Sequence, residues 1–251
     1  MNIVFDIGGT NMRIATTEGD VLKEIRKIPT PKDPRSGLEA FTRVARELAS
    51  DGVDAIGGGI AADYIRDGVL SGASNLPEWN GVDLAHEFDS VFHAPVSIVN
   101  DTVAAGIGEK TKGAGRGHER VAYMTVSTGV GGTCIGEDIG ASPILRELQE
   151  LIGDLESQIS GTAIRKKFGI EPKDLDSLEE RNALADILAE ALKKIAGAWQ
   201  PDIFVLGGSM ILGVNPIPLE RVREKFSVVP ASMAELGDQS GLIGGAVLAM
   251  R

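Results

Sequence analysis

Two short glycine-rich segments, each following an apolar run and leading into another, constrain this chain more than any other feature. Asp6-Ile7-Gly8-Gly9-Thr10-Asn11 comes first, and Ser127-Thr128-Gly129-Val130-Gly131-Gly132 restates it in the second half. Glycine lets backbone N–H groups approach an anion with no Cβ in the way, and Thr and Ser hydroxyls add donors. Either segment alone reads equally as a tight hairpin turn, where Gly-Gly is common. At matching places in two halves of one chain, they read together as a pair of phosphate-binding loops. Neither is a P-loop, since no Gly-x-x-x-x-Gly-Lys-Ser/Thr occurs. Neither is a dinucleotide fingerprint, because a strand follows instead of a helix.

Around these segments, strands and helices alternate. Residues 2–5 are a β-branched and aromatic run, residues 12–17 resume as a strand, and Glu18-Gly19-Asp20 is a turn. Residues 21–28 alternate as a third strand, so the chain opens on an antiparallel meander. Leu38, Phe41, Val44, Ala45 and Leu48 recur at helical spacing. Strands are expected at 53–60 and 96–99, with helices at 82–92 and 102–110. The second half repeats the plan, with a strand at 121–126, a loop at 127–132 and a return strand at 133–135. Residues 145–164 read as mostly helical, 175–199 as the longest helix, and 202–206 as a strand ending at Gly207-Gly208-Ser209. Residues 240–250 form a small-residue helix. The pattern predicts an α/β fold of two duplicated domains with a ligand cleft between them. Residues 1–105 form the smaller domain, completed by the C-terminal helix 240–251, and residues 106–239 form the larger one. Ligands of such sheets sit beyond strand ends.

Composition removes several function classes. The 251 residues suffice for a sizeable core. A net charge of −11 argues against nucleic acid and anionic membranes as partners, and it keeps a cytoplasmic protein soluble. Cys134 is the only cysteine, so neither an internal disulfide nor a Cys-rich zinc site is expected, and it reads as a small buried hydrophobe. His86, His93 and His118 lack ligand spacing and read as surface residues. The first carboxylate, Asp6, arrives too early for a signal peptide, and no apolar run approaches the roughly 18 residues of a membrane helix.

The chemistry is expected at Asn100-Asp101 and Asp6. Asp101, at a strand end, can accept a hydroxyl proton beside the γ-phosphate of ATP. Its other use is to cap the helix beginning at Thr102. Asn100 can donate to and accept from sugar hydroxyls. Asp6 would repel phosphate directly, so it fits a role holding Mg²⁺ through water. These residues point to an ATP-dependent kinase acting on a small alcohol, a sugar foremost.

On these motifs the chain resembles the ROK sugar kinases (repressor, open reading frame, kinase), within the fold shared by actin, sugar kinases and Hsp70 ATPases, whose domains are RNase H-like. The resemblance also rests on Asn75-Leu76-Pro77-Glu78-Trp79, Ser160-Gly161-Thr162-Ala163-Ile164, Gly207-Gly208-Ser209 and Gly241-Leu242-Ile243-Gly244-Gly245-Ala246. It implies that Asp101 is the catalytic base and that Asn75 and Asn100 contact sugar hydroxyls. Asn75 also reads as a loop residue before Pro77. The ATP site it implies comprises Asp6, Gly8, Gly9, Thr10, Asn11, Thr128, Gly129, Gly131 and Gly132, with Gly207 and Gly208 facing adenosine. It implies transfer to the 6-hydroxyl of a hexose or hexose derivative, and that dimers are common.

The departures concern the sugar site. The family's Glu-x-Gly-His segment and its Cys-x-Cys-Gly-x-x-Gly-Cys zinc cluster correspond to residues 137–154, which hold no His and no Cys. No zinc is therefore expected. Glu147 or Glu150 could replace the family Glu, or both are solvated helix charges. The repressors' helix-turn-helix would precede the first strand, and the sequence given begins at that strand. The alternative function is a catalytically silent relative that senses sugar or nucleotide; a kinase for a non-sugar alcohol is the third reading.

Overall fold

The computed structural model describes residues 1–137, 141–144 and 149–251, the 141–144 stretch by its backbone alone. The chain forms two compact units. Unit 1 comprises residues Met1–Gly108 and Asp238–Arg251, and unit 2 comprises Glu109–Gly237.

Unit 1 is built on a five-stranded sheet in the order β3-β2-β1-β4-β7. The meander of β1 (Asn2–Ile7), β2 (Asn11–Glu18) and β3 (Val21–Pro29) is antiparallel, while β4 (Ile56–Ile60) and β7 (Val96–Asn100) run parallel to β1. The central strand β1 has side chains buried on both faces. Phe5 joins the core under α1 (Pro34–Leu48) and α2 (Leu84–Phe92), stacking edge-on against Phe41 and Phe88 at 5.7 and 5.4 Å. Val4, one residue earlier, points to the opposite face and packs on Leu242 and Ala246 of α10 (Ser240–Ala249). The helix α3 (Asp101–Lys112) lies over β4, which reads Ile-Gly-Gly-Gly-Ile. A Cβ on Gly59 would lie 2.8 Å from Ala104 Cβ and 2.9 Å from Asp101 Cα, and one on Gly57 would strike Gly245 O. Three glycines in a strand forfeit packing area, but Gly57 and Gly59 let α10 and α3 rest on its backbone, and Gly58 leaves room for Phe5 on the other face.

Unit 2 repeats the strand order and senses. Its sheet runs β10-β9-β8-β11-β12, with β10 (Ala141–Ile144), β9 (Val130–Ile135) and β8 (Val121–Val126) antiparallel, and β11 (Ile203–Gly207) and β12 (Ala231–Met233) parallel to β8. The long helix α7 (Leu178–Trp199) buries Leu184, Leu188, Leu192 and Ile195, and Phe204 meets Phe226 edge-on at 5.5 Å.

Some boundaries differ from the sequence pattern. The strand β9 starts at Val130, so Gly131 and Gly132 pair with Thr125 and Met124 in the ladder and only residues 127–129 form the loop. The described part of 145–164 is three short helices, α4 (Gln149–Ile152), α5 (Glu156–Ile159) and the start of α6 (Gly161–Phe168), interrupted at Gly153 with φ +74° and at the Ser160 cap. A hairpin of β5 (Tyr64–Arg66) and β6 (Val69–Ser71) was not expected. Its signal was present in Asp67-Gly68, both at positive φ (51° and 87°), the two-residue turn that matches strand twist. Among the described residues no helix is long and apolar enough to cross a membrane.

Candidate functional site

The register of the parallel strands aligns the unit 1 candidates. Ile7 pairs with Ile60 and Ile60 with Asn100, so the turn after β1, residues 61–62 after β4, and Asn100-Asp101 at the end of β7 leave one edge of the sheet together. This is the carboxyl edge of parallel strands, where ligands of such sheets bind. Asn75 joins them through the turn. An ideal Cβ on Gly9 would lie 2.6 Å from Asn75 Cβ, so the chain at Asn75 lies flat on a position only glycine fits.

The structure separates Asn100 and Asp101 by role. Asn100 Oδ1 accepts the N–H groups of Thr102 (2.9 Å) and Val103 (3.3 Å), and its Nδ2 donates to Ala62 O (2.9 Å). It is therefore Asn100 that caps α3, which leaves one Nδ2 proton for a ligand. Asp101 is the first residue of the helix. Its Oδ1 accepts from Thr102 N–H at 2.7 Å, and its Oδ2 has no hydrogen bond among the described residues. Burial raises the Asp101 pKa above the ordinary carboxylate value, against the lowering effect of the Thr102 bonds.

Asp6 shares this acidic environment. Its pKa is pushed up to about 6, first by burial and next by the charge of Asp101, while Arg13 opposes the rise. Arg13 bridges two carboxylates, with Nη1 on Asp6 Oδ2 at 3.0 Å and Nη2 on Asp238 Oδ2 at 2.8 Å. Gly241, in the first turn of α10, faces Asp6, with its Cβ position 3.2 Å from Asp6 Cγ. Sequence reasoning missed Arg13 and Asp238. Arg13 had a signal, since it stands across the hairpin from Asp6. Gly8 N–H is consumed inside the turn by Asn11 O at 3.0 Å, and Thr10 is exposed.

Unit 2 places Thr128 and Gly129 in the loop beyond β8, Gly207 at the end of the adjacent β11, and Gly208 just beyond it. Gly208 has φ +88°, and a Cβ there would strike Val126 O and lie 2.7 Å from Thr125 Oγ1, so Gly208 lies against the end of β8, next to where the first loop begins. Gly131 and Gly132 lie behind the loop, in β9. Glu147 lies outside the described residues. Glu150 is exposed on α4, and no hydrogen bond among the described residues ties it to the loop. The acidic side chain that does meet the loop is Glu156 of α5, whose Oε2 accepts Val130 N–H at 2.9 Å and crowds Gly129. It had no sequence signal, because its role depends on where α5 docks.

A groove of about 1180 Å³ lies along α1 and α2 in unit 1, lined by residues such as Leu38, Arg43, Val82 and Glu87, and it contains none of the candidate residues. Among the described residues, no group of three or more His, Cys, Asp or Glu side chains is placed to hold a metal ion.

Residues 2–139, more than half of the chain, match the sequence model of the ROK family. A glucokinase from Thermotoga maritima is 26% identical, with 96% of this chain and 94% of that protein covered. That alignment runs over 305 positions against a chain of 251 residues, so the relative carries segments with no counterpart here. The ROK hexokinase of Thermus thermophilus shares the fold at a TM-score of 0.82 and 24% identity, covering 99% and 97% of the two chains. A ROK family glucokinase from Streptomyces griseus, solved with glucose and AMPPNP, gives a TM-score of 0.78 at 24% identity, with 99% of each chain covered.

Proposed function

The chain belongs to the ROK family, and on that premise we propose that it is an ATP-dependent sugar kinase with Asp101 as its general base. One observation supports this most directly. A half-buried carboxylate with one oxygen free of hydrogen bonds leaves the sheet at the same edge as the glycine turn after β1. Names carried by relatives, glucokinase among them, agree with the reading.

In the proposed mechanism the sugar hydroxyl donates its hydrogen bond to Asp101 Oδ2. As the hydroxyl oxygen forms its bond to the γ-phosphorus, the bond from that phosphorus to the β,γ-bridging oxygen breaks and ADP leaves. Asp101 takes the hydroxyl proton and later releases it to water. The raised pKa suits this task, because a carboxylate nearer neutral binds a proton more readily. Asn75 and the remaining Nδ2 proton of Asn100 orient sugar hydroxyls. Gly9, Thr10, Thr128 and Gly129 donate to phosphate oxygens, and Gly207 and Gly208 face adenosine. The acceptor is a hexose or hexose derivative, with transfer to its 6-hydroxyl.

Asp6, a half-buried carboxylate bonded to Arg13 through Oδ2, is an oxygen donor of the kind that suits a hydrated Mg²⁺. Asp6 would hold the ion through water. When bound, Mg²⁺ neutralises charge on the phosphates.

The test is ADP release from Mg-ATP across hexoses, N-acetylhexosamines and pentoses, with Asp101→Asn as control. Turnover with one sugar, lost in the variant, is the expected result. Nucleotide binding without turnover on any acceptor would overturn the kinase assignment in favour of a sensing relative.

A further inference from the structure

The glycine turns of the two units are held by one device built from different residues. In unit 1 each carbonyl of the turn is taken. Thr30 Oγ1 donates to Gly8 O at 2.7 Å, Lys32 Nζ to Gly9 O at 2.8 Å, and Thr30 N–H to Thr10 O at 2.9 Å. Lys32 Nζ also reaches Asn75 O at 3.1 Å. In unit 2, Gly161 N–H donates to Ser127 O at 2.7 Å. Thr162 reaches Thr128 O with its N–H at 3.2 Å and its Oγ1 at 2.8 Å.

A trans peptide is planar, and its C=O and N–H point in opposite directions. Clamping the carbonyls of Gly8 and Gly9 therefore turns the N–H groups of Gly9 and Thr10 away from Thr30 and Lys32. Clamping those of Ser127 and Thr128 turns the N–H groups of Thr128 and Gly129 away from α6. None of these N–H groups has an acceptor among the described residues. Each turn thus presents two consecutive donors outward, the arrangement that binds anionic oxygen.

We infer that Thr30, Lys32 and Thr162 are positioning residues for nucleotide phosphate, locking the peptide planes of both turns before the ligand arrives. The inference rests on the kinase reading above. Without the clamp, peptides flanking glycine can flip, since glycine populates both signs of φ. Each flip replaces a donor with a carbonyl oxygen that repels phosphate. Fixing the donors in advance removes that ordering cost from binding. Lys32 also places a positive charge behind the turn in a chain of net charge −11.

The experiment compares Thr30→Val, Thr30→Ser, Lys32→Met and Thr162→Val with wild type. The readouts are Mg-ATP affinity by displacement of a fluorescent nucleotide, KM for the sugar, and melting temperature. Lys32→Met is expected to weaken Mg-ATP about tenfold, the scale of one lost charge-assisted hydrogen bond, and Thr30→Val about fivefold, the scale of a lost neutral one. Thr162→Val, which keeps its backbone donor, is expected to cost about threefold. Thr30→Ser should restore wild-type affinity, and the sugar KM of the Thr30 and Thr162 variants should stay within about twofold, since those two residues clamp only phosphate donors, whereas Lys32→Met also releases Asn75 O and should raise the sugar KM as well. Wild-type affinity in Thr30→Val, or equal losses in the Ser and Val variants, would overturn the clamp. If Thr30→Val fails to fold, the exposed Lys32→Met carries the same test. A wild-type protein that binds no nucleotide would overturn the kinase reading itself, and so the two failures are distinguishable.

Discussion

In unit 1 the turn after the first strand is surrounded by ionisable groups from the strands and helices around it. Asp6 and Arg13 face each other across the hairpin, Asp101 adds a second half-buried carboxylate, and Asp238 completes the bridge. The corresponding cross-strand pair in unit 2 is Thr125 opposite Gly131, which carries no charge, and among the described residues the carboxylate that bonds to that turn, Glu156, comes from α5. Strand order and strand senses are nevertheless the same in both sheets. The same backbone frame can thus carry two chemistries. The difference lies in a few side chains beside the turn, while the turns share a clamped-carbonyl geometry. On the proposed function, proton transfer and metal binding belong to unit 1, and unit 2 contributes uncharged donors.

Asp101→Asn tests that division most severely. It should lower kcat by about 10²- to 10⁴-fold, the usual loss of a general base, with Mg-ATP affinity within about twofold. A loss of similar size from a unit 2 variant such as Glu156→Ala, read in the same ADP assay, would break the comparison.

Backbone fit is the next test. Gly9→Ala forces a Cβ against Asn75, and Gly208→Ala adds strain at φ +88° along with contacts to Val126 and Thr125. Each should destabilise its own unit by about 1–3 kcal/mol, measured by denaturant unfolding.

Asp6→Asn probes the charge asymmetry through pH. The folded pKa of Asp6, about 6, lies above the ordinary 3.8, so the folded state binds the proton more tightly than the unfolded state. Ionised Asp6 therefore costs stability above pH 6, and the cost fades as the pH falls from 6 to 3.8. The upper limit of that cost is about 3 kcal/mol. Without Mg²⁺, Asp6→Asn should raise the melting temperature at pH 7.5 and leave it nearly unchanged near pH 4. A gain independent of pH would show that charge is not its source. In the wild type, kcat/KM should fall on acidification as Asp101 and Asp6 take up protons.

The smallest effect is expected from Glu156→Ala. Losing the bond to Val130 N–H, in an exposed setting, should cost about 1 kcal/mol of stability. A larger loss would mean that the unit 2 turn depends on charge as much as the unit 1 turn does.

Much of this was legible in the residues. The meander, α1, β7 and α7 followed from apolar spacing, because a buried face imposes its period on the sequence. Asp101 was legible because an Asn-Asp pair ended an apolar run. What spacing could not reveal was which member of that pair caps α3. Both residue types cap well, and the choice depends on Ala62 O, which receives Asn100 Nδ2 from 38 residues away. The start of β9 was misjudged because glycine carries no alternation signal, and Gly131 and Gly132 looked like loop.

The sequence by itself determined the two glycine turns, the α/β alternation, the carboxylates at strand ends and the resemblance to one family. These depend on residue type and local order. Only the tertiary structure decided which amides of the turns remain open, that Arg13, bonded to Asp6, reaches Asp238 across 225 residues, and that Glu156 meets the second turn. The direction of a peptide plane and the burial of a charge are set by partners distant in the chain. Hydrogen bonding and desolvation therefore act on them only once the fold has brought those partners together.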